Sequence, residues 1–481
     1  MNWRMISYIL GVMMKSEGCL MLLSVIVALV YGEMSVLPAI IIPAALLLIG
    51  GFILSFRSPE KGQFYAKEGF VVVALSWIIV SFFGGLPFFL SGEIPSLVDS
   101  FFESVSGFTT TGSTILKNIE GMSYSLLFWR SFTHWIGGMG ILVFVLSVMP
   151  RSGGDSIYLM RAEMPGVSVE KLVSRVRPTI QILYGIYICL TVVLIILLVI
   201  CGMPVFDSIV TAMGTAGTGG YGIKNSSIAF YDSAAIDAVL TVFMLIFSIN
   251  FNLYFLILIG KVKNVLKSEE LHWFLGIVGT AIVLIAVNIL QFHGGNLLEA
   301  LRYSSFQVAS IISTSGFSTE DFGQWPQFSQ TVLLLLMFVG ACAGSTGGGI
   351  KVSRLVILGK MAVAELKRIL HPRHVVAVKF EDKTLSAPLI KGAYTYFVIY
   401  FFVLLISVLI LSLDNFDLTT NFTAVVTCLN NVGPGLGAVG PSGNFADFSI
   451  LSKLVLCFGM LAGRLEIFPI LLLFSPFTWK K

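Results

Sequence analysis

The chain has 481 residues, of which 56 % are hydrophobic and 12 % are charged, with a net charge of +4. Soluble domains carry about 25 % charged residues, so this composition excludes a soluble globular protein and is typical of an integral membrane protein. The small excess of Lys and Arg gives no reason to expect a nucleic-acid partner.

Ten apolar stretches are long enough to be predicted as bilayer spans. They cover residues 19–32, 34–56, 69–92, 121–149, 179–202, 234–261, 272–291, 328–358, 389–413 and 449–474. Inside each of the last four pairs lies a shorter, half-apolar stretch that predicts a re-entrant segment, near 99–110, 205–218, 299–314 and 419–431. The predicted fold is therefore all-α, with four pseudo-symmetric helix–pore loop–helix repeats around one pore and two extra leading transmembrane helices.

This pattern predicts a division of the chain into five units, one leading pair of helices and four pore repeats. The leading unit is 1–68, and the repeats are 69–178, 179–270, 271–388 and 389–481.

A short segment rich in Thr and Gly follows each re-entrant stretch. The four segments are Phe108–Ser113, Gly217–Tyr221, Ser313–Phe317 and Asn430–Pro434. Aligned on their glycines, they recur about every hundred residues, which indicates an internal repeat. Four such segments around one axis would present rings of carbonyl oxygens that replace the water shell of a cation. The alternative is four ordinary loops between membrane helices.

A glycine-rich break interrupts the predicted span 328–358, at Gly344, Ser345, Thr346, Gly347, Gly348 and Gly349, hereafter the glycine loop. Arg464 lies inside the last predicted span at a similar depth, and an intramembrane arginine indicates a functional site. We interpret the two as a flexible gate with a fixed positive charge, about half a membrane below the filter. The alternatives are a kink for close helix packing, and an Arg464 that pairs with Glu466 or with carbonyl oxygens.

Lys and Arg residues set the predicted orientation, because they concentrate on the cytoplasmic side. The pore-side segments carry only Lys117, Lys224 and Arg302, so both termini are predicted to be cytoplasmic. The outer face holds an acidic mouth that would concentrate cations, and Asp99 and Asp207 are interpreted as caps of the re-entrant helices. The basic segment 359–391 is either a solvated loop or a docking surface for a soluble partner.

Several further motifs join these features, and together they resemble one family. They are His134–Ile141, Arg161–Gly166, Ser345–Gly349 and Gly463–Glu466. With the four Thr/Gly segments, the chain resembles the Trk/Ktr/HKT superfamily of potassium transporters over essentially its whole length. The two leading spans make it similar to the bacterial TrkH branch.

The resemblance implies a K+ uptake pore in the bacterial cytoplasmic (inner) membrane, built as a homodimer and gated by the loop in the third repeat. It also implies a cytoplasmic regulatory ring of the TrkA type that carries the nucleotide, so this chain itself needs no cofactor beyond the transported K+. The implied filter residues are Thr110, Thr111, Gly112, Thr218, Gly219, Gly220, Thr314, Ser315, Gly316, Asn431, Val432 and Gly433. The fourth copy departs most from the pattern, because Asn and Val replace its Thr-rich pair.

Three functions compete at this point. The first is a channel-like K+ conductor, and the second is a K+ symporter coupled to H+ or Na+, which needs titratable groups along the path. His134 and Arg130, four residues apart, either relay protons or satisfy each other's surroundings. An intramembrane enzyme is not expected, because the spans show neither a HExxH motif nor paired aspartates.

Overall fold

The computed structural model describes residues 1–57, 66–140, 176–372 and 377–479. These ranges are almost entirely helical, which confirms the predicted all-α class; the strands they contain are β1, Lys379–Phe380, and β2, Lys383–Thr384, which form a hairpin. Several residues that bear on the sequence predictions lie outside the described ranges. They are the motif Arg161–Gly166, the basic residues within 151–175, Arg373, and the tail residues Lys480 and Lys481. The boundaries proposed for the five units stay a prediction.

The helices follow the predicted order of the repeats. They are α1 Trp3–Tyr31, α2 Leu37–Ser55, α3 Ala66–Leu90, α4 Leu97–Phe108, α5 Tyr124–Met139, α6 Val176–Ile200, α7 Val205–Gly217, α8 Ala234–Ser248, α9 Phe251–Leu258, α10 Val262–Val265, α11 Glu269–Ile289, α12 Leu297–Ile312, α13 Gln327–Val339, α14 Val352–Leu370, α15 Ala387–Leu411, α16 Leu418–Asn430, α17 Ile450–Arg464, α18 Phe468–Phe474 and α19 Pro476–Trp479.

The first helix is longer than the predicted span 19–32. It begins at Trp3, where the Asn2 side chain accepts a hydrogen bond of 3.1 Å from the Met5 amide. Gly11 and Gly18 let α1 lie against the backbone of α2, since a Cβ at Gly18 would lie 3.0 Å from the Ala44 carbonyl oxygen. Glu17, which precedes the predicted span, lies buried within the same helix.

Four short helices, the pore helices α4, α7, α12 and α16, occupy the four predicted re-entrant stretches. Each packs against both long helices of its own repeat and against the second helix of the preceding repeat. The inter-repeat pairs are α4 with α17, α7 with α5, α12 with α8 and α16 with α13. The fourth repeat therefore contacts the first, and the repeats close into a ring.

The second helices of the second and fourth repeats are broken, whereas the predicted spans 234–261 and 449–474 are continuous, and the predicted span 328–358 is interrupted as expected. In the described part of the chain, six helices are long and apolar enough to cross a membrane, or seven if a bent pair counts as one. That pair is α8 and α9, which meet at 90°. In the third repeat α13 ends at Val339, and in the fourth α17 ends at Arg464. Irregular backbone at this depth is tolerated where protein buries it or where it lines a cavity.

The outer ends of the pore helices differ from the predicted caps. Ser96, not Asp99, caps α4, because its hydroxyl accepts from the Asp99 amide at 3.3 Å. Asp207 lies in the first turn of α7, where its carboxylate accepts from the Tyr231 hydroxyl at 2.7 Å. Both carboxylates still lie at the positive end of a helix dipole, which they complement.

Candidate ion pathway

The four Thr/Gly segments share one unusual backbone conformation. Thr110, Thr218, Thr314 and Asn431 have positive φ of 55°, 56°, 62° and 55°. Two residues further along, the segment glycines have φ between 73° and 100°. A non-glycine residue pays about 1–2 kcal/mol for this left-handed region, so the surrounding structure must hold it. The fourth copy has the same conformation despite its different sequence.

The segment glycines close a ring, each one resting on the next repeat. A Cβ added to any of them would lie within 3 Å of a carbonyl oxygen of that repeat. The contacts are Gly112 with Gly219, Gly220 with Ser315, Gly316 with Val432 and Gly433 with Thr111. This arrangement brings the twelve predicted filter residues together around one axis, and glycine is required because a side chain has no room.

Hydrogen bonds between hydroxyl and amide side chains stabilise the ring. The Thr109 and Thr111 hydroxyls lie 2.8 Å apart, and so do the hydroxyls of Ser313 and Ser315. In the fourth copy, the Asn431 amide nitrogen donates to the Thr111 hydroxyl at 2.9 Å. The asparagine thus ties the last repeat to the first, and it tolerates positive φ better than threonine does.

A buried polar stack lies behind the first and second segments. Arg130 pairs with Glu103 at 2.6 Å, and its guanidinium lies 3.4 Å from the centre of the Tyr221 ring. The Tyr221 hydroxyl donates to the Glu103 carbonyl at 2.7 Å, and the ring stacks on His134 at 4.0 Å. This arrangement favours the alternative in which Arg130 and His134 satisfy each other's surroundings over the one in which they relay protons. Sequence analysis missed Glu103, although an acidic residue in the middle of an apolar pore helix was the signal.

The glycine loop lies directly under the filter, not half a membrane below it. The Gly348 amide donates to the Thr314 hydroxyl at 2.7 Å, and the Gly349 amide donates to the Asn430 carbonyl at 3.0 Å. The depth estimate was wrong because it assumed that the span continues as a straight helix. Glycines with positive φ, at Gly340 and Gly344, instead turn the chain so that it contacts the pore-helix ends.

Arg464 holds the loop from the side. Its guanidinium donates to the Thr346 carbonyl and to the Gly138 carbonyl, both at 2.8 Å. Carbonyl oxygens are therefore its partners here, as one alternative anticipated, while Glu466 forms an ion pair with Arg354. The charge nevertheless lies against the loop, so the two predicted gate elements are in contact.

A small cavity of about 50 Å³ lies beside the loop and Arg464. Its lining includes Lys351, whose ammonium donates to the Gly347 carbonyl. Sequence analysis did not assign this second cation to the gate, because it was counted among the basic residues of the segment that follows the loop. Lys351 also has a positive φ of 82°, which places it in a strained position at the start of α14.

The bend between α8 and α9 forms backbone hydrogen bonds with the start of the glycine loop. The Cys342 amide donates to the Ser248 carbonyl, and the Phe251 amide donates to the Gly344 carbonyl, both at 3.0 Å. The bend releases carbonyls that a continuous helix would use internally, and the loop satisfies them. Asn250, which caps α9, was the sequence signal for this break.

The acidic mouth is partly neutralised by the few basic residues on the same face. Lys453 pairs with Asp99 at 2.6 Å, and Arg302 pairs with Asp232 at 3.3 Å. Asp417 remains a charged acceptor, because hydrogen bonds from Thr420 lower the pKa of its carboxyl. The mouth therefore attracts cations less strongly than a count of its carboxylates suggests.

Comparison with known proteins gives one family over the whole chain. The TrkH family, described as cation transport protein, matches residues 37–481. The Trk system potassium uptake protein TrkH of Salmonella typhimurium is 36 % identical over 487 residues and is covered fully by this chain, which it covers fully in turn. The Trk system potassium uptake protein TrkG of Escherichia coli is 30 % identical over 480 residues, with 99 % of each chain covered.

A solved structure agrees with these sequence matches. The crystal structure of the potassium transporter TrkH from Vibrio parahaemolyticus superimposes with a TM-score of 0.89, at 32 % identity and with 100 % of both chains covered. The relatives are transport proteins, which confirms the expectation that the chain is not an enzyme. The chain is a multi-pass membrane protein, and it belongs to the TrkH family of cation transport proteins.

Proposed function

We propose that this protein takes up K+ through a channel-like pathway whose selectivity filter is the ring of four Thr/Gly segments. The observation that carries the proposal is the ring closure, in which each glycine rests on a carbonyl of the next repeat. Carbonyl oxygens held by four repeats in one conformation are suited to replace the water shell of an ion. The relatives named as potassium uptake proteins support K+ as that ion.

The glycine loop acts as the gate in this proposal. It lies against the filter residue Thr314, and the charges of Arg464 and Lys351 flank it. A cation leaving the filter would meet both the loop and these charges, and two unit charges about 4 Å apart repel by roughly 4 kcal/mol at an effective dielectric of 20. Movement of the loop away from Thr314 would open the path.

Regulation comes from outside the chain. Two copies form the transporter in the bacterial inner membrane, both termini are cytoplasmic, and a TrkA-like ring that binds a nucleotide docks on the basic cytoplasmic segments. The relatives' names, which refer to a Trk system, support the presence of further components. The described part of the segment 359–391 includes the C-terminal part of α14, whose last turn carries Lys367 and Arg368.

Flux measurements in proteoliposomes test the function. Purified protein should carry K+ down its own gradient when no proton or sodium gradient is present. Flux that requires either gradient would instead establish the coupled symporter, and Na+ flux equal to K+ flux would refute the assigned filter.

A further inference from the structure

One carboxylate joins the two ends of the glycine loop. Glu270, in the first turn of α11, is buried, and its Oε1 atom accepts from the Ala343 amide at 2.7 Å. The same oxygen accepts from the Ser353 amide at 3.3 Å. Ala343 precedes the loop and Ser353 follows it, so a single side chain fixes the distance between its ends.

A second carboxylate attaches a hairpin to the same end of α11. Glu381 lies in the turn between β1 and β2, and its Oε1 atom accepts from the Glu270 amide at 3.1 Å and from the Ser268 hydroxyl at 2.9 Å. The Glu381 amide donates in return to the Glu269 carboxylate at 3.3 Å. The hairpin therefore contacts the residue that holds the loop.

The helix that follows the loop joins this contact. Lys360 on α14 forms an ion pair with Glu269, and its ammonium donates to the Lys379 carbonyl of β1 at 2.8 Å. The start of α11, the hairpin and α14 thus form one junction on the side of the loop that faces away from the filter. The junction belongs to the segment that sequence analysis considered as a docking surface.

We propose that Glu270 is the positioning residue of the gate and that the hairpin turn at Glu381 is the latch that controls it. The inference rests on the proposed role of the glycine loop as the gate. A partner that pulls the hairpin away removes an acceptor from the Glu270 amide and from Ser268, which caps α11. The first turn of α11 is then free to move, and Glu270 releases both ends of the loop.

The first experiment compares Glu270→Ala with Glu270→Gln. Alanine removes both hydrogen bonds, so K+ flux without the cytoplasmic partner should rise on the order of tenfold. Exchange of the Ala343 and Ser353 amide hydrogens, followed by mass spectrometry, should accelerate in the same variant. Glutamine keeps an acceptor oxygen at the same reach, and it should remain close to wild type in both measurements.

The second experiment tests the latch with two neighbouring residues. Glu381 and Asp382 both have positive φ, of 51° and 58°, so alanine costs the backbone about the same at either position. Glu381→Ala should raise partner-free flux and loop exchange, whereas Asp382→Ala should change neither. In the Glu270→Ala background, Glu381→Ala should add nothing, because both act through the same tether.

The outcomes separate the latch from the gate. If deletion within the glycine loop raises flux but Glu270→Ala and Glu381→Ala leave both flux and exchange unchanged, the latch is refuted and the proposed function stands. Additive effects of the two glutamate variants would also refute it. If Glu270→Ala does not fold, the Glu381 and Asp382 pair decides on its own. Absence of K+ flux in the wild-type protein would instead refute the proposed function.

Discussion

The filter and the glycine loop touch each other, yet they are held in different ways. Four copies of one backbone conformation support each other around the filter, and each copy contacts the next through main-chain atoms. The loop exists once, and it is held by a few main-chain bonds together with single side chains, among them Thr314 and Arg464. One main-chain contact of a closed ring cannot be broken without disturbing the others, whereas a single side-chain hydrogen bond can be broken alone. In the proposed function, selectivity therefore belongs to the rigid part and regulation to the releasable part.

The largest expected effect comes from a side chain placed in the ring. Gly112→Ser combines a positive φ of 81° with a close contact to the Gly219 carbonyl, so it should distort the ring. Overpacking costs about 1–3 kcal/mol, and we expect the K+/Na+ permeability ratio to fall by about a hundredfold at the upper end. Reversal potentials under bi-ionic conditions measure this ratio.

Gly92→Ser is the matched control for this change. Gly92 has a similar φ of 79°, but a Cβ there would meet nothing within 4 Å. It should retain the wild-type permeability ratio. An unchanged ratio in a well-folded Gly112→Ser protein would contradict the filter assignment.

Deleting Gly347 and Gly348 tests the releasable part directly. The deletion removes the amide that donates to Thr314 and displaces the one that donates to Asn430, so partner-free K+ flux should increase by about tenfold. Because the loop touches Thr314, we also expect a smaller loss of K+ preference, which a gate half a membrane away would not cause. Flux equal to wild type in a protein that still binds its partner would show that the loop is a packing element.

Removing the charge beside the loop should have a smaller effect. Arg464→Ala leaves the bonds of Gly348 and Gly349 to the pore-helix ends in place, so we expect about a fivefold increase in partner-free flux. Arg464→Lys keeps the charge but loses the planar group that reaches Thr346 and Gly138 together. If charge obstructs the ion, only alanine raises flux; equal increases would mean that the tether matters and the charge does not.

The smallest effect is expected on the cytoplasmic surface. Arg368 is exposed and pairs with Glu365 one turn away, so its reversal to Glu should weaken partner binding by about two- to threefold. The loss should grow smaller as ionic strength increases. Pull-down of the ring at several salt concentrations measures this. Full retention of the ring at low salt would place the docking surface elsewhere.

The sequence allowed correct predictions of structure where the internal repeat fixed the spacing of residues. The positions of the pore helices and of the four glycines followed from spacing, and even Asn431–Gly433 could be aligned because Gly433 kept its place. Hydropathy could not reveal the bend after Ser248 or the path of Gly344–Gly349, because both depend on backbone hydrogen bonds between distant segments of the chain.

Contacts between distant side chains were beyond the sequence for a different reason. Glu270 and Glu381 are more than a hundred positions apart from each other, and nothing in their local neighbourhoods indicates a partner. Glu17 lies outside the predicted span 19–32 and yet is buried, because periodicity does not report which face a neighbouring helix covers. The partners and the burial of these charged residues could therefore be assigned only from the structure.

The contact between Gly433 and the Thr111 carbonyl also has a consequence for biosynthesis. The ribosome makes the four repeats in order, and the ring lacks one side until the last repeat enters the membrane. A nascent chain that ends after the third repeat has Thr111 in place but no glycine to meet it. Under the proposed function, ion selectivity is therefore acquired at the final step of membrane insertion, and we expect chains that stop early to be substrates for quality-control proteases rather than partial conductors.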